Sequence, residues 1–100
     1  MDLNMDINGV AINYIESLAF VEPRSPENFI SSEFLAANYF RFQDLRILKS
    51  IVTNTDPNIL IPRVSLRVIF QNREVRATFN VLPTLNPVCV IGRELLNRLH

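Results

Sequence analysis

The chain has 100 residues, of which 48% are apolar, and a formal net charge of zero. This length suits one domain with a buried core, and the balanced charge gives no general indication of a nucleic-acid partner. Cys89 is the single cysteine, so an internal disulfide is excluded, and no apolar run approaches the length of a membrane span. We therefore expect an intracellular protein, cytoplasmic or nuclear, without membrane association.

The N-terminal segment predicts a β-hairpin. Residues 3–7 alternate between apolar and polar side chains, as a half-buried strand does. Asn8-Gly9 follows and is a strong signal for a type I′ turn, because that turn needs positive φ at both central residues. The alternation resumes over residues 10–14. We therefore place a turn at Asn8-Gly9 between two strands.

The next segment predicts a strand, a loop and a short helix. Residues 18–21 form a continuous apolar run. Pro23 and Pro26 argue against a strand or helix through residues 22–26. Ser31 is a plausible N-cap, and residues 32–37 favour a helix.

The second half of the chain predicts mostly β-structure. Two strand-like runs joined by the Pro57 turn form a hairpin arm over residues 46–62. The clearest alternation predicts a strand pair, 63–70 and 73–81, joined at Gln71-Asn72. A loop (82–87), a buried strand (88–91) and an amphipathic helix (94–99) complete the chain.

The last helix and the strand before it carry a family resemblance. Ile91-Gly92-Arg93-Glu94 resembles the closing motif of the retropepsin-like aspartic proteases of retroviruses and retrotransposons. Other pieces are similar in order and spacing: the Ile7–Val10 hairpin, the Ser25–Phe34 segment, the 46–62 arm in the place of the flap, and the long strand pair. The resemblance implies a mainly β, closed barrel with one short C-terminal helix and a second short helix near residues 31–38. It also implies a symmetric homodimer with the cleft between subunits.

The catalytic Asp-Thr/Ser-Gly of that family is absent. Counting back from Phe29-Ile30-Ser31, the triplet falls on Glu22-Pro23-Arg24. Counting forward from Asn8-Gly9, it falls on Glu16-Ser17-Leu18. We prefer the first alignment because its match is longer, and an insertion in the first hairpin would explain the offset.

Under either alignment, the residues in the place of the catalytic triplet are unsuited to catalysis. An aspartic dyad needs two carboxyl groups close enough to share a proton. Glu is one methylene longer than Asp, Pro23 has neither hydroxyl nor backbone donor, and Arg24 or Leu18 stands where the family has a conformationally free glycine. We therefore predict no catalytic residue and no peptidase activity.

The resemblance assigns an ion pair to Arg93. In the family, the equivalent arginine pairs with an acid just after the catalytic triplet. Pro26 occupies the strict partner position and cannot serve, so Glu27 or Glu22 is the candidate partner; a solvated Arg93 at a helix start is the alternative. We take the binding or interface residues to be Glu22, Pro23, Arg24, Ser25, Pro26 and Arg93.

The functional expectation is an inactive retropepsin-like domain that acts in homodimerisation and protein–protein interaction. We expect residues 1–100 to be a single domain excised from a longer, retrotransposon-derived protein, with a protein or peptide partner. One Cys and one His cannot form a zinc site, and we expect no cofactor or metal. In retroviral members a strand after the last helix joins the dimer, whereas this sequence stops at His100, so dimerisation would use the 22–26 loop or the flap.

Two alternatives stay open. One is an active dimeric aspartic peptidase that uses Glu22 or Glu16. The other is a small RNA-binding β domain, in which an exposed sheet face carries basic side chains. Those side chains are Arg63, Arg67, Arg73 and Arg76.

Overall fold

A computed structural model describes residues 7–38, 46–52 and 60–99. It contains seven strands and two short helices within those ranges, and this mainly β architecture confirms the expected fold class. The strands are β1 (Ile7–Ile12), β2 (Ile15–Val21), β3 (Asn28–Ser31), β4 (Arg46–Val52), β5 (Leu60–Phe70), β6 (Arg73–Leu82) and β7 (Cys89–Ile91); the helices are α1 (Ser32–Ala37) and α2 (Arg93–Leu99).

Six strands close into a barrel, in the order β1-β2-β7-β3-β6-β5. The barrel closes because the end of β5 pairs with β1, with Ile69 opposite Ala11 and Val68 opposite Ile12. β4 lies outside the barrel and pairs antiparallel with the beginning of β5. Closure removes the free edges that an open sheet would expose along these strands.

The first turn lies further along the chain than the sequence predicted. Asn8 and Gly9 lie inside the β1–β2 ladder, opposite Ala19 and Leu18. The two-residue turn is Asn13-Tyr14, with φ of 47° and 67°. Asn13 is fixed by tertiary hydrogen bonds, because its backbone N–H donates to Arg67 O at 2.7 Å and its Oδ1 accepts from the Arg67 N–H at 2.8 Å.

Most other element predictions are confirmed. Ser31 caps α1, since its hydroxyl oxygen accepts from the backbone N–H groups of Glu33 and Phe34. Gln71-Asn72 forms the turn between β5 and β6, again with positive φ at both residues. The predicted strand at 3–6, the turn at 54–58 and His100 lie outside the described residues.

The barrel interior forms the hydrophobic core. The largest fully buried apolar side chains are Ile12, Ile30, Leu66, Val68, Phe79, Ile91 and Leu95. Apart from Leu95 on α2, they come from alternate positions of the strands, as a two-residue period requires. Leu95 and Leu99 are the buried residues of α2, so this helix packs against the barrel near β3 and β6. In the described parts of the chain, no helix is long and apolar enough to cross a membrane.

Candidate functional site

The loop between β2 and β3 begins at Glu22. The Glu22 backbone N–H donates to Ile91 O at 2.9 Å, which extends the β2–β7 pairing by one residue. The Ser25 N–H then donates to Glu22 O at 3.1 Å and closes a four-residue turn. Pro23 occupies the second position of that turn, where proline is favoured. Arg24 does not adopt positive φ, so this turn forms without a glycine.

The Glu22 carboxylate is paired with Arg24 of the same turn. Nε of Arg24 lies 2.9 Å from Oε1, and Nη2 lies 3.3 Å from Oε2. The Arg24 backbone N–H also donates to Oε1 at 3.0 Å. These hydrogen bonds and the positive charge of Arg24 hold the pKa of Glu22 below its usual value and raise the pKa of Arg24. The ionised form of the Glu22 side chain is therefore favoured.

An ionised Glu22 paired with Arg24 differs from the carboxyl groups of an acid dyad. Two carboxyl groups that share one proton depend on mutual repulsion to raise the pKa of one of them. Arg24 opposes that rise at Glu22, because a guanidinium in a forked contact stabilises the ionised form. As arranged in this loop, Glu22 forms a charged contact with Arg24 that favours its ionised form.

The start of α2 supports the loop from behind. The Gly92 N–H donates to Asn28 Oδ1 at 2.9 Å, and the Arg93 N–H donates to Ser25 O at 2.7 Å. A Cβ on Gly92 would lie 2.7 Å from Ser25 O and would also collide with the Glu27 carbonyl. Gly92 is therefore required by the close approach of two backbone segments.

Asn28 is a site residue that sequence reasoning missed. It is only 1% exposed, and its Nδ2 donates to Thr78 O at 3.1 Å and to Glu94 Oε1 at 3.2 Å. Its amide thus joins β3, β6 and the start of α2. The sequence did contain a sign of this role. Asn28 lies two residues before the apolar Ile30, so its polar side chain falls on the inward face of β3.

The predicted ion pair of Arg93 with Glu22 or Glu27 is wrong. Arg93 is exposed, and among the described residues it forms no salt bridge with either acid. The alternative, a solvated arginine at a helix start, describes its side chain. Glu27 instead accepts a hydrogen bond from Asn80 Nδ2 at 3.1 Å. Arg93 reaches the loop through its backbone N–H.

Solved structures resemble the whole described chain. EIAV protease in complex with the inhibitor HBY-793 has a TM-score of 0.68 at 17% identity, covering 99% of this chain and 94% of that one. The retroviral protease-like domain of Ddi1 from Leishmania major has a TM-score of 0.69 at 16% identity, covering 98% and 75%. A retropepsin-like aspartic protease from Rickettsia conorii has a TM-score of 0.65 at 19% identity, covering 92% and 69%.

The chain has the retropepsin-like fold. No protein-family model and no curated protein matches the sequence. At these identities the likeness establishes an aspartic protease-like fold, and the chemistry must be argued from the residues.

Within the retropepsin-like fold, the two candidate triplets lie in different places. Glu22-Pro23-Arg24 forms the turn that leaves the barrel beside β7 and α2. Glu16 lies inside the β1–β2 ladder opposite Ala11, with Ser17 and Leu18 following along β2. The true turn lies five residues after Asn8-Gly9, which accounts for five of the six residues by which the two alignments differ.

An apolar strip on the outward face of the retropepsin-like barrel adjoins the loop. The register places Phe20 beside Val90, and Val90 beside Phe29, on the neighbouring strands β2, β7 and β3. All three side chains are half-buried. Leu18, which is 57% exposed, continues the strip along β2 on the same face. The strip is thus a continuous, partly exposed apolar surface on three neighbouring strands.

The predicted basic face is not a row of free arginines. Arg73 lies two residues before Val75 on β6, so the two side chains lie on the same, inward face of the strand. The Arg73 guanidinium donates to Leu99 O at the end of α2, at 3.0 Å. Arg67 contacts Tyr14 and forms a salt bridge of 3.3 Å with Glu74. Arg63 is half-buried, and Arg76 donates to the Ser65 hydroxyl. These contacts weaken the RNA-binding alternative, because Arg67, Arg73 and Arg76 are engaged within the fold.

The described residues contain no cluster of three or more His, Cys, Asp or Glu side chains placed to hold a metal ion. The buried Cys89 thiol has its pKa raised to about 12 by desolvation. It is therefore unsuited to act as a nucleophile at neutral pH.

Proposed function

We propose that this chain is a catalytically inactive retropepsin-like domain that serves as a homodimerisation and protein–protein interaction module. The observation that carries the proposal is the forked contact between Glu22 and Arg24. It pairs the only carboxylate in the turn that we align with the family's catalytic triplet, and it favours the ionised state.

The neighbouring residues support loss of catalysis. Pro23 offers no backbone N–H and no hydroxyl to brace the turn across a dimer. Arg24 stands where the family has a glycine, and its side chain is 91% exposed. Pro23 and the Glu22–Arg24 contacts hold the shape of the loop.

The outward strip supports a binding role. Phe20, Phe29 and Val90 provide half-buried apolar surface directly beside an exposed charged turn. Such a combination suits a protein or peptide partner, with apolar contacts for affinity and charges for orientation. We place the domain inside the cell, as part of a longer retrotransposon-derived protein, as elements of the same proposal.

Active peptidase is the competing function, and the neighbours in the structural comparison favour it, since they are named as proteases or protease-like domains. In that case the protein would cleave peptides, and Glu22→Gln would abolish cleavage. Glu16 is the acid of the other alignment, so Glu16→Gln would abolish cleavage instead if that residue were the catalytic acid. Glu33→Gln is the matched control, because it removes an exposed carboxylate from α1 and leaves both candidate triplets intact.

The test combines a peptide-cleavage assay with a measurement of molar mass in solution. A diverse peptide library is incubated with the protein from pH 4 to pH 7, and molar mass is measured by light scattering over at least a tenfold concentration range. We expect no cleavage and a concentration-dependent dimer. Cleavage that is lost in Glu22→Gln or in Glu16→Gln but kept in Glu33→Gln would overturn the inactive assignment. A monomer at every concentration would overturn the homodimerisation.

A further inference from the structure

A groove runs along β1 on the outer face of the barrel. It has a volume of about 620 Å³, and none of its lining residues belongs to the turn at residues 22–25. Because Val10 and Ile12 are buried, their neighbours Gly9 and Ala11 lie on the outer face. Among the residues that line the groove are Gly9, Ala11, Glu16, Leu18, Ile69 and Gln71. Small residues of β1 thus form its floor, and larger side chains of β2 and β5 form its rims.

The fold itself does not require a glycine at position 9. The φ of Gly9 is not positive, and no atom lies within 4 Å of the place where a Cβ would be. A glycine inside a strand is unfavourable for stability, and it often marks a place where a ligand or another backbone approaches closely. Two exposed apolar side chains border this open space, since Leu18 (57% exposed) lies opposite Gly9 and Ile7 (43% exposed) lies two residues before it.

The backbone groups of Gly9 point away from β2. The two-residue turn at Asn13-Tyr14 makes Ile12 and Ile15 a hydrogen-bonded pair. Every second residue before Ile12 then bonds to β2, while Ala11 and Gly9 direct their N–H and C=O groups to the opposite side. The Asn13 N–H, which donates to Arg67 O on β5, follows the same alternation.

On that opposite side the β1–β5 ladder ends before it reaches Gly9. β5 pairs with β1 at Ala11 and Ile12, and it then ends at Phe70 and turns at Gln71-Asn72. Among residues 7–38, 46–52 and 60–99, no strand pairs with Gly9 on this side. The N–H and C=O of Gly9 therefore form a free strand edge, which is a template for a further strand.

Glu16 places an unpaired negative charge beside this edge. It is exposed, it lies opposite Ala11, and it forms no salt bridge with another described residue. A strand added next to β1 would lie about 10 Å from β2, which is two strand spacings. Because Gly9 has no side chain, a long basic side chain from that strand can cross β1 to Glu16, with its methylene groups lying on Leu18.

We propose that the free edge of β1 binds an extended peptide segment of a partner protein, which adds as a strand at Gly9 and places a lysine or arginine against Glu16. The inference rests on the proposed role in protein–protein interaction and is independent of homodimerisation. Backbone hydrogen bonds provide the affinity of such an added strand, and side-chain contacts provide its specificity. β1 of a second copy does not supply the cation, because Ile7–Ile12 contains no charged residue.

Labelled peptides of alternating valine and threonine test the charge contact. Three peptides carry lysine, norleucine or glutamate at the centre, and their binding is followed by fluorescence anisotropy. We expect the lysine peptide to bind about tenfold more tightly than the glutamate peptide, and Glu16→Lys to reverse this preference. Glu33→Gln, which removes an exposed carboxylate from α1, should leave all three affinities within about twofold.

Filling the floor of the groove tests the position of the peptide. Gly9→Val should weaken binding of the lysine peptide about tenfold or more, because its side chain occupies the path across β1. The variant should stay folded, as read by circular dichroism, since the added atoms point into open space and valine suits a strand. In the wild type, the peptide should slow hydrogen exchange of the Gly9 N–H. The Val10 N–H, which already faces Ser17 on β2, is the internal reference.

The outcomes separate this inference from the proposed function. Absence of binding by all three peptides, or equal binding by Gly9→Val, would overturn the site on β1 and leave homodimerisation, measured by light scattering, standing. Gly9 protection that rises with protein concentration in the absence of peptide would assign the edge to a second copy and overturn the peptide. Lysine-selective binding that is lost in Gly9→Val and reversed in Glu16→Lys would support the proposal.

Discussion

The backbone N–H of Gly92 donates to the side-chain oxygen of Asn28 at 2.9 Å, and this hydrogen bond joins the start of α2 to the start of β3. It lies directly behind the turn that carries Glu22 and Arg24. The same region holds the second backbone contact, from the Arg93 N–H to Ser25 O. The charged turn is thus held on a rigid base, although its own residues are exposed.

Gly92→Ala should destabilise the fold. The added Cβ would lie 2.7 Å from Ser25 O, a backbone atom that can move only with the loop. We expect a loss of about 1–3 kcal/mol in the free energy of unfolding, measured by urea denaturation. Gly9→Ala is the control, because no atom lies within 4 Å of its Cβ and its φ is not positive. Equal stability of the two variants would show that the close approach at Gly92 is not real.

Asn28→Ala should also destabilise the fold. It leaves the Gly92 N–H without its acceptor and removes the donor to Thr78 O, in a side chain that is 1% exposed. A buried polar group without a partner costs about 1–3 kcal/mol, so we expect about 3 kcal/mol for this variant by chemical denaturation. Asn97→Ala, at an exposed position of α2, should change stability by less than about 0.5 kcal/mol. A loss at Asn28 no larger than that at Asn97 would contradict the bridging role.

Cys89 should be unreactive in the folded protein. Its thiol is buried, and desolvation raises its pKa to about 12, so almost no thiolate exists at neutral pH. Iodoacetamide at pH 7.5 should modify it slowly in buffer and rapidly in strong denaturant, as followed by mass spectrometry. Rapid native-state labelling would show that Cys89 is accessible.

The sequence predicted most of the barrel because its strands show a clear period. Val64, Leu66 and Val68 alternate with polar residues, and the structure buries all three. The helix at 32–37 follows from its Ser31 cap. In these places local preference and the tertiary fold agree.

The first turn could not be predicted because a distant contact decides it. Asn8-Gly9 has the stronger local preference, whereas Asn13 is selected by two hydrogen bonds with Arg67 on β5. The same limit applies to Arg73, whose acceptor is Leu99 O on α2. A contact between residues far apart in sequence does not change the local pattern of apolar and polar residues, so that pattern cannot predict it.

The alignment named Glu22-Pro23-Arg24 as the candidate loop, and the structure shows that these residues form a turn. The contact within that turn was not predicted. The forked contact between Glu22 and Arg24 depends on the turn that Pro23 and the Ser25 N–H create. Spacing of two residues does not by itself predict such a contact.

The ionisation state of Glu22 is the property on which the account depends. Its pKa in the folded protein is lowered from the usual value of 4.5 by hydrogen bonds and charge from Arg24. The stabilisation from this pair is therefore fully present above pH 4.5 and is lost as pH falls through the lowered pKa of the folded state. Arg24→Gln should move the pKa of Glu22 back toward 4.5.

The most direct measurement is a carbon-13 NMR titration of the Glu22 side-chain carboxyl in the folded protein. We predict a single transition below pH 4.5, which shifts upward in Arg24→Gln, since one cation holds each carboxylate ionised. A transition raised well above 4.5, or two coupled transitions, would reveal carboxyl groups sharing a proton. That result would contradict the inactive assignment and restore the acid dyad.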